Sequence, residues 1–267
     1  MRSRALPLLA ARCFAPLGPA RAAEAAPTGT LSVAAAANLS GALDALDAAF
    51  RQTASDVAVT SMTAASGDIV AQVEHGAPYD VFLSADLHFP QVLADAGEAE
   101  GRTLTTFAVG QLVLWTTRPD VALPDVAAAV RDPLVRKLAI ANVRTAPFGR
   151  AAEQALHRLG LWSVAEPKLV VGESISQTTQ FVATGNADAG FVALSVVRAP
   201  KLKGKGRYIE VSPDLYDPLD QGAIITRHGA ANPAARRYLA FLHGPAAQAI
   251  LISFGYRVPA TPSAPPS

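Results

Sequence analysis

The chain has 267 residues, of which 50% are hydrophobic and 17% charged, enough for one or two domains with a buried core. Lysine and arginine total 23 and aspartate and glutamate 22, so the formal net charge is +1. A nucleic-acid-binding protein would show a basic excess or a basic stripe, so this balance argues against nucleic acid as a partner.

The N-terminus has the pattern of an export signal. Arg2 and Arg4 form a positive start, an apolar run follows, and small residues including Ala22 and Ala23 lie beyond it. We predict a signal peptide over residues 1–23, cleaved near Ala22/Ala23, and a periplasmic location. Because an arginine and two prolines interrupt the apolar run, an alanine-rich N-terminal extension is the alternative.

Cys13 is the only cysteine and precedes the predicted cleavage point. It follows an arginine, whereas lipid attachment requires a small residue there, so we do not predict a lipoprotein. The mature chain would then have neither a disulfide nor a thiolate metal site. No later segment reaches 18 uninterrupted apolar residues, so we predict no membrane span.

From residue 30 onward, strand-like and helix-like segments alternate, which is typical of an α/β protein with mostly parallel sheets. We predict left-handed helix caps at Gly76, Gly160 and Gly185, and a helix opened by Pro147. The proline-rich residues 259–267 are predicted to be a disordered tail. Strands are predicted over residues 30–36, 57–62, 80–84, 111–116, 138–142, 168–171, 190–193 and 222–226, and helices over residues 39–52, 69–75, 150–159, 177–183 and 234–252.

Four strand-to-helix junctions share small or hydroxyl-bearing residues. They read AANLSG from residue 36, AASGD from residue 64, ANVRTAPFG from residue 141 and GESIS from residue 172. The first N–H groups of a helix lack internal acceptors and carry the positive end of the dipole, so they bind anions without a cation. The plainer alternative is that these residues are ordinary helix caps.

Three longer segments carry a family resemblance: AANLSGALDALDAAF, AASGDIVAQVEHGAPYDVFLSAD and GESISQTTQFVATGNADAGFVALS. They resemble the periplasmic molybdate-binding proteins of ABC importers, and the similarity covers roughly residues 31–256. It implies the type II periplasmic-binding-protein fold, an α/β architecture of two lobes with the ligand in the interlobe cleft. Lobe 1 would comprise residues 30–106 and 220–258 and lobe 2 residues 107–219, joined by crossing strands.

The same resemblance implies ligand donors at five positions. Asn38 would donate from its side-chain amide, and Ser66 from its hydroxyl and backbone N–H. Phe148 and Ile175 would contribute backbone N–H groups, and Ala37 is a further candidate.

Two departures from the family pattern suggest a site with fewer hydroxyl donors. Some members carry a serine or threonine in the first junction, where this chain has Ala37 and Asn38. Many members have a tyrosine near the contact from the second lobe, where this chain has Phe148 and Ala193.

The implied function is capture of molybdate, and of tungstate, by hinge closure for an ABC permease with its ATPase. The protein is expected to be a monomer without cofactors, and molybdenum would enter only as the oxyanion, with no direct metal ligands. Molybdate, tungstate and sulfate are fully ionised and only accept hydrogen bonds, whereas phosphate keeps a proton and needs an acceptor. Asp68 is a candidate acceptor, or it complements the helix dipole.

Two other classes stay open: a binding protein of this fold for sulfate, phosphate or a small organic anion, and an exported enzyme or sensory adaptor. The sequence has no GxSxG, HExxH, Walker or GxGxxG motif, and its five histidines lack metal-ligand spacing. We therefore predict that the protein is not an enzyme.

Overall fold

The computed structural model describes residues 28–259, so the predicted export signal, Cys13 and the tail from residue 260 onward lie outside the described residues. The strands are β1 Gly29–Ala36, β2 Val57–Ala64, β3 Val81–Leu83, β4 Thr105–Val109, β5 Leu112–Thr116, β6 Leu138–Ala141, β7 Leu169–Gly172, β8 Ala189–Ala193, β9 Arg207–Glu210 and β10 Asp220–Ile225.

The helices are α1 Leu43–Thr53, α2 Ser66–Glu74, α3 His88–Asp95, α4 Val126–Arg131, α5 Pro147–Arg158, α6 Trp162–Ala165, α7 Ile175–Ala183, α8 Leu194–Val197, α9 Pro233–Leu242 and α10 Pro245–Ser253. A 3-10 turn, Ala37–Leu39, follows β1. None of the helices described here has the length and apolar character needed to cross a bilayer.

The strands form two five-stranded sheets, ordered β2-β1-β3-β10-β4 and β7-β6-β8-β5-β9. In each sheet one strand runs against the other four: β10 in the first and β5 in the second. Each reversed strand is the first strand that the chain forms after it crosses from the other sheet, and it enters its new sheet from the opposite end. The predicted two-lobe α/β fold is confirmed, and four of the five strands in each sheet are parallel as expected.

The chain changes sheet between β4 and β5, at residues 110–111, and again between β9 and β10. Each sheet with its flanking helices is called a lobe below, the first lobe being built on β1 and the second on β6. The residue boundaries given for the lobes in the sequence analysis stay predictions.

Some predicted elements differ from those observed. The predicted helix over residues 234–252 is two helices, α9 and α10, because Gly244 and Pro245 interrupt the chain and proline opens the second. The predicted helix over residues 39–52 starts later, at Leu43, after the 3-10 turn. Strands β4 and β9 and helices α3, α4, α6 and α8 are absent from the prediction, since short segments give little periodicity.

The helix caps and the proline-initiated helix lie where the sequence predicts them. Gly76, Gly160 and Gly185 have φ values of +86°, +64° and +76°, which confirms the predicted left-handed caps. Pro147 is the first residue of α5. In α1, Leu43, Leu46 and Phe50 recur at helical spacing and are buried together against one face of the first sheet.

A buried carboxylate ties α1 to α9 inside the first lobe. Asp47 accepts hydrogen bonds from the Tyr238 hydroxyl at 2.9 Å and from the Ser61 hydroxyl at 2.6 Å. Burial raises the pKa of Asp47 above its ordinary value of 3.8, although both hydrogen bonds act in the other direction. Its ionisation as the pH rises through the folded-state pKa therefore lowers the free energy of unfolding.

Substituting Tyr238→Phe should lower the free energy of unfolding by about 1–3 kcal/mol at pH 7, because Asp47 loses a donor while remaining buried. The loss should be smaller at a lower, acid pH, because protonation of the buried carboxyl removes the charge that the Tyr238 hydroxyl stabilises. Urea denaturation at both pH values measures this. Tyr79→Phe is the control, because the Tyr79 hydroxyl bonds only the neutral Gln72 amide, at 2.7 Å. Equal losses in the two variants would contradict the role given to Asp47.

Candidate ligand-binding site

The four small-residue junctions follow equivalent strands of the two sheets. They come after β1 and β2 in the first lobe and after β6 and β7 in the second. In each sheet these two strands are neighbours and parallel, so their carboxyl ends lie at the same edge. Ligands of open α/β sheets bind outside the carboxyl ends of the strands, and here the two edges face one another across the cleft.

The five predicted donor residues come together around one small cavity between the lobes, with a volume of about 10 Å³. Every lining residue is buried. This volume is about what a single water molecule needs, so the cleft between the lobes is narrow at this point. The lining residues are Ala36, Ala37, Asn38, Ala65, Ser66, Ala85, Ala146, Pro147, Phe148 and Ile175.

Four backbone N–H groups of this lining lack a protein acceptor. Ser66 and Ile175 are the first residues of α2 and α7, Phe148 is the second of α5, and Asn38 lies in the 3-10 turn. Their positions leave the N–H groups without intrahelical partners, and no other acceptor for them is found among residues 28–259. Three helix N-termini thus converge on the cavity from both lobes, as an anion site requires.

Ser66 is prepared to donate a hydrogen bond. Its Oγ accepts from the Ala85 backbone N–H at 3.2 Å, so the hydroxyl proton is free for another acceptor. Its side chain makes no capping bond within its own helix. The residue is 1% exposed, so a hydrogen bond made here is shielded from water.

The Asn38 side-chain amide is occupied by bonds within the protein. Its Nδ2 donates to Gln221 Oε1 at 2.7 Å and to the Tyr256 hydroxyl at 2.8 Å, so both amide protons are used inside the protein. In this geometry the side-chain amide has no proton left for a ligand, and the expectation that it donates to one stays a prediction. What Asn38 offers the cavity is its backbone N–H, and the side chain fixes the turn that presents it.

Gln221 sets the orientation of the Asn38 amide. Its Nε2 donates to the carbonyls of Ala85 at 3.1 Å and Leu219 at 2.8 Å, which forces Oε1 towards Asn38. Asn38 Oδ1 is consequently turned away from this contact. Among residues 28–259, it is the one buried side-chain polar atom without a hydrogen-bond partner.

No charged side chain is among the residues that line the cavity. Asp68 lies in the first turn of α2 but is not one of them, which favours its role as a complement to the helix dipole. Burial and, secondarily, the Glu173 carboxylate of the second lobe raise the pKa of Asp68. These two acidic residues therefore oppose closure of the cleft while both are ionised.

Direct contacts between the lobes hold the cavity closed. The Gly67 N–H donates to the Thr145 carbonyl at 2.9 Å, next to the cavity. Arg150 of α5 forms an ion pair with Asp86 and lies over the Phe89 ring at 5.8 Å. A larger cavity of about 430 Å³ adjoins this ion pair, but the carboxylates of Asp86, Asp217 and Asp220 line it, which disfavours an anion there.

Sequence reasoning placed the donor residues but missed the side chains that support them. Gln221, Tyr256 and Ser195 are 183, 218 and 157 residues from Asn38 in the chain, and no local motif marks them. Phe148 lines the cavity as predicted, whereas Ala193 is buried at the end of β8 and does not.

An enclosed cavity between two α/β lobes, lined by free backbone donors, defines a two-lobe solute-binding protein. Comparison with known proteins agrees: residues 31–257 match the family described as bacterial extracellular solute-binding protein, and the chain belongs to that family.

Individual relatives confirm the resemblance seen in the sequence. The chain is 40% identical to the molybdate-binding protein ModA of Azotobacter vinelandii over 246 residues, which cover 92% of this chain and 96% of that one. Identity is also 40% to ModA of Rhodobacter capsulatus over 231 residues, 86% and 89% of the two chains. The solved structure of the periplasmic molybdate-binding protein of Azotobacter vinelandii superposes with a TM-score of 0.80 at 34% identity, covering 86% of this chain and 99% of that one.

Removing the Ser66 hydroxyl should weaken oxyanion binding about tenfold or more, the effect of losing one hydrogen bond to a charged group. Isothermal titration of Ser66→Ala measures it. Ser253→Ala is the control, because the Ser253 hydroxyl is exposed and bonds only the Ile250 carbonyl of its own helix. Native affinity in a folded Ser66→Ala variant would remove Ser66 from the site.

A side chain at Gly67 should block closure without unfolding either lobe. A Cβ there would lie 2.9 Å from Thr145 Cα and 3.0 Å from Phe89 Cε1, and Thr145 belongs to the opposite lobe. We expect Gly67→Ala to weaken ligand binding about tenfold or more by destabilising the closed state, with little change in Tm. Gly29→Ala is the control, since its nearest neighbour would be an ordinary 3.8 Å away.

Small-angle X-ray scattering with and without ligand separates this effect from general damage. The wild type and Gly29→Ala should become more compact when the ligand is added, and Gly67→Ala should not. Full compaction and native affinity in Gly67→Ala would contradict the assigned contact.

Proposed function

We propose that this chain is an extracytoplasmic solute-binding protein that captures molybdate, and also tungstate, for an ABC importer. The observation that carries the proposal is the convergence of four free backbone N–H groups and the Ser66 hydroxyl on one enclosed, uncharged cavity. Identity of 40% to two molybdate-binding proteins over most of the chain supports molybdate as the ligand.

Binding proceeds by hinge closure in this proposal. The first lobe offers Ser66 and the backbone of the 3-10 turn, including Asn38 and the candidate Ala37. The ligand then draws in the N–H groups of Phe148 and Ile175 from the second lobe, so that it favours the closed state by its extra contacts there. The two strand crossings between the sheets are the segments that bend.

The lining of the cavity is uncharged and rich in hydrogen-bond donors, which favours a fully ionised oxyanion. Molybdate and tungstate accept hydrogen bonds at every oxygen, and the cavity supplies mainly donors. Monoprotonated phosphate would need an acceptor, and no carboxylate is among the lining residues that the structure describes. Asn38 Oδ1 is a buried acceptor without a partner on a residue that lines the cavity, so phosphate is included in the titrations below.

The remaining parts of the proposal follow from the family. The protein would be exported through cleavage near Ala22/Ala23, act as a monomer, need no cofactor and catalyse no reaction. In its closed form it would dock on a membrane permease that an ATPase drives.

Isothermal titration of the chain from about Ala23 onward tests the ligand, with molybdate, tungstate, sulfate and phosphate injected in turn. We expect one-to-one binding of the first two and no heat of binding from the others. Weakened binding in the Ser66→Ala variant would show that the ligand binds in this cavity. Tight binding of sulfate or phosphate instead would retain the site and overturn the named ligand, and absence of binding by all four would overturn the proposal.

A further inference from the structure

Two serines of the second lobe reach across the cleft to the first. The Ser176 hydroxyl, on α7, donates to the Ala37 carbonyl at 3.0 Å, and the Ser195 hydroxyl, on α8, donates to the Asn38 carbonyl at 2.8 Å. Both acceptors belong to the 3-10 turn that presents a free N–H to the cavity. Neither serine lines the cavity, so neither is expected to touch a ligand held there.

The Ser176 contact acts on a peptide group that serves the site. The carbonyl of Ala37 and the N–H of Asn38 belong to the same peptide unit. A donor at the carbonyl end polarises that unit and strengthens hydrogen bonding by its N–H. The second lobe therefore adds its own donors and also improves one that the first lobe already has.

These bonds differ from the others made by the turn because they require both lobes. Gln221 lies in β10 of the first sheet and Tyr256 packs in the hydrophobic cluster of the first lobe, so their bonds to Asn38 do not depend on closure. Ser195 is 4% exposed, so its hydroxyl bond is shielded from water with the lobes in this arrangement. The structure thus contains a preformed turn and two hydroxyls that reach it on closing.

We propose that Ser176 and Ser195 are closure latches, positioning residues that set how long the closed protein retains its ligand. The proposal rests on the binding function proposed above and adds residues that hold the lobes rather than the anion. Because the latches form after the ligand has entered, they act on the dissociation rate and leave the association rate unchanged.

The test measures molybdate binding to Ser176→Ala and Ser195→Ala. A chase of bound radiolabelled molybdate with unlabelled molybdate gives the dissociation rate, and titration gives Kd. We expect each variant to release molybdate about 3-fold to 10-fold faster, the range for one lost neutral hydrogen bond, with an unchanged association rate. Ser176→Thr keeps the hydroxyl and should restore slow release.

Thr184→Ala is the matched control, because Thr184 directly follows α7 and its hydroxyl donates to the Gln180 carbonyl of that helix at 2.8 Å, within one lobe. Its release rate should equal that of the wild type. Wild-type release rates in both serine variants, or an effect confined to association, would overturn the latches while leaving the molybdate function intact. If the wild type itself does not bind molybdate, the result contradicts the proposed molybdate-binding function rather than the latches alone.

Discussion

The structure depends on one electrostatic constraint: an anion enclosed between two lobes has to be held by dipoles, because no cationic side chain lines the space. Free N–H groups at helix starts meet that requirement, and they have to come from several chain segments at once. The fold provides them by placing the carboxyl ends of β1 and β2 opposite those of β6 and β7. Alanines at these ends keep the backbone accessible where a larger side chain would fill the cavity.

Such a site is effective only if its donors are held in place before the ligand arrives. The 3-10 turn is held by a buried network in which Gln221 orients Asn38 and the Tyr256 hydroxyl both accepts from the Asn38 amide and donates to the Asn38 carbonyl at 3.0 Å. Burial raises the pKa of Tyr256 above its ordinary value, so its hydroxyl stays protonated and can donate. Every amide and hydroxyl proton of this network is used, which favours one geometry, although Asn38 Oδ1 is left without a partner.

Closure balances attraction and repulsion across the cleft. The Asp86–Arg150 ion pair, the Gly67–Thr145 backbone bond and the bonds from Ser176 and Ser195 favour the closed state. Like-charge repulsion between Asp68 and Glu173, which contributes after burial to the raised pKa of Asp68, opposes it. A ligand shifts such a balance only through its differential affinity for the closed form.

The sequence by itself determined the α/β class, the helix caps at Gly76, Gly160 and Gly185, and the four junctions whose residues line the cavity. These features are local, because periodicity, positive φ and helix starts are set within a few residues. The division of the C-terminal helix at Gly244–Pro245 was equally local and was overlooked. Which junctions face one another, which atom of Asn38 serves the cavity, and which residues support it were decided by the tertiary structure alone. The physical reason is that Gln221, Tyr256 and Ser195 reach Asn38 only through packing between segments more than 150 residues apart.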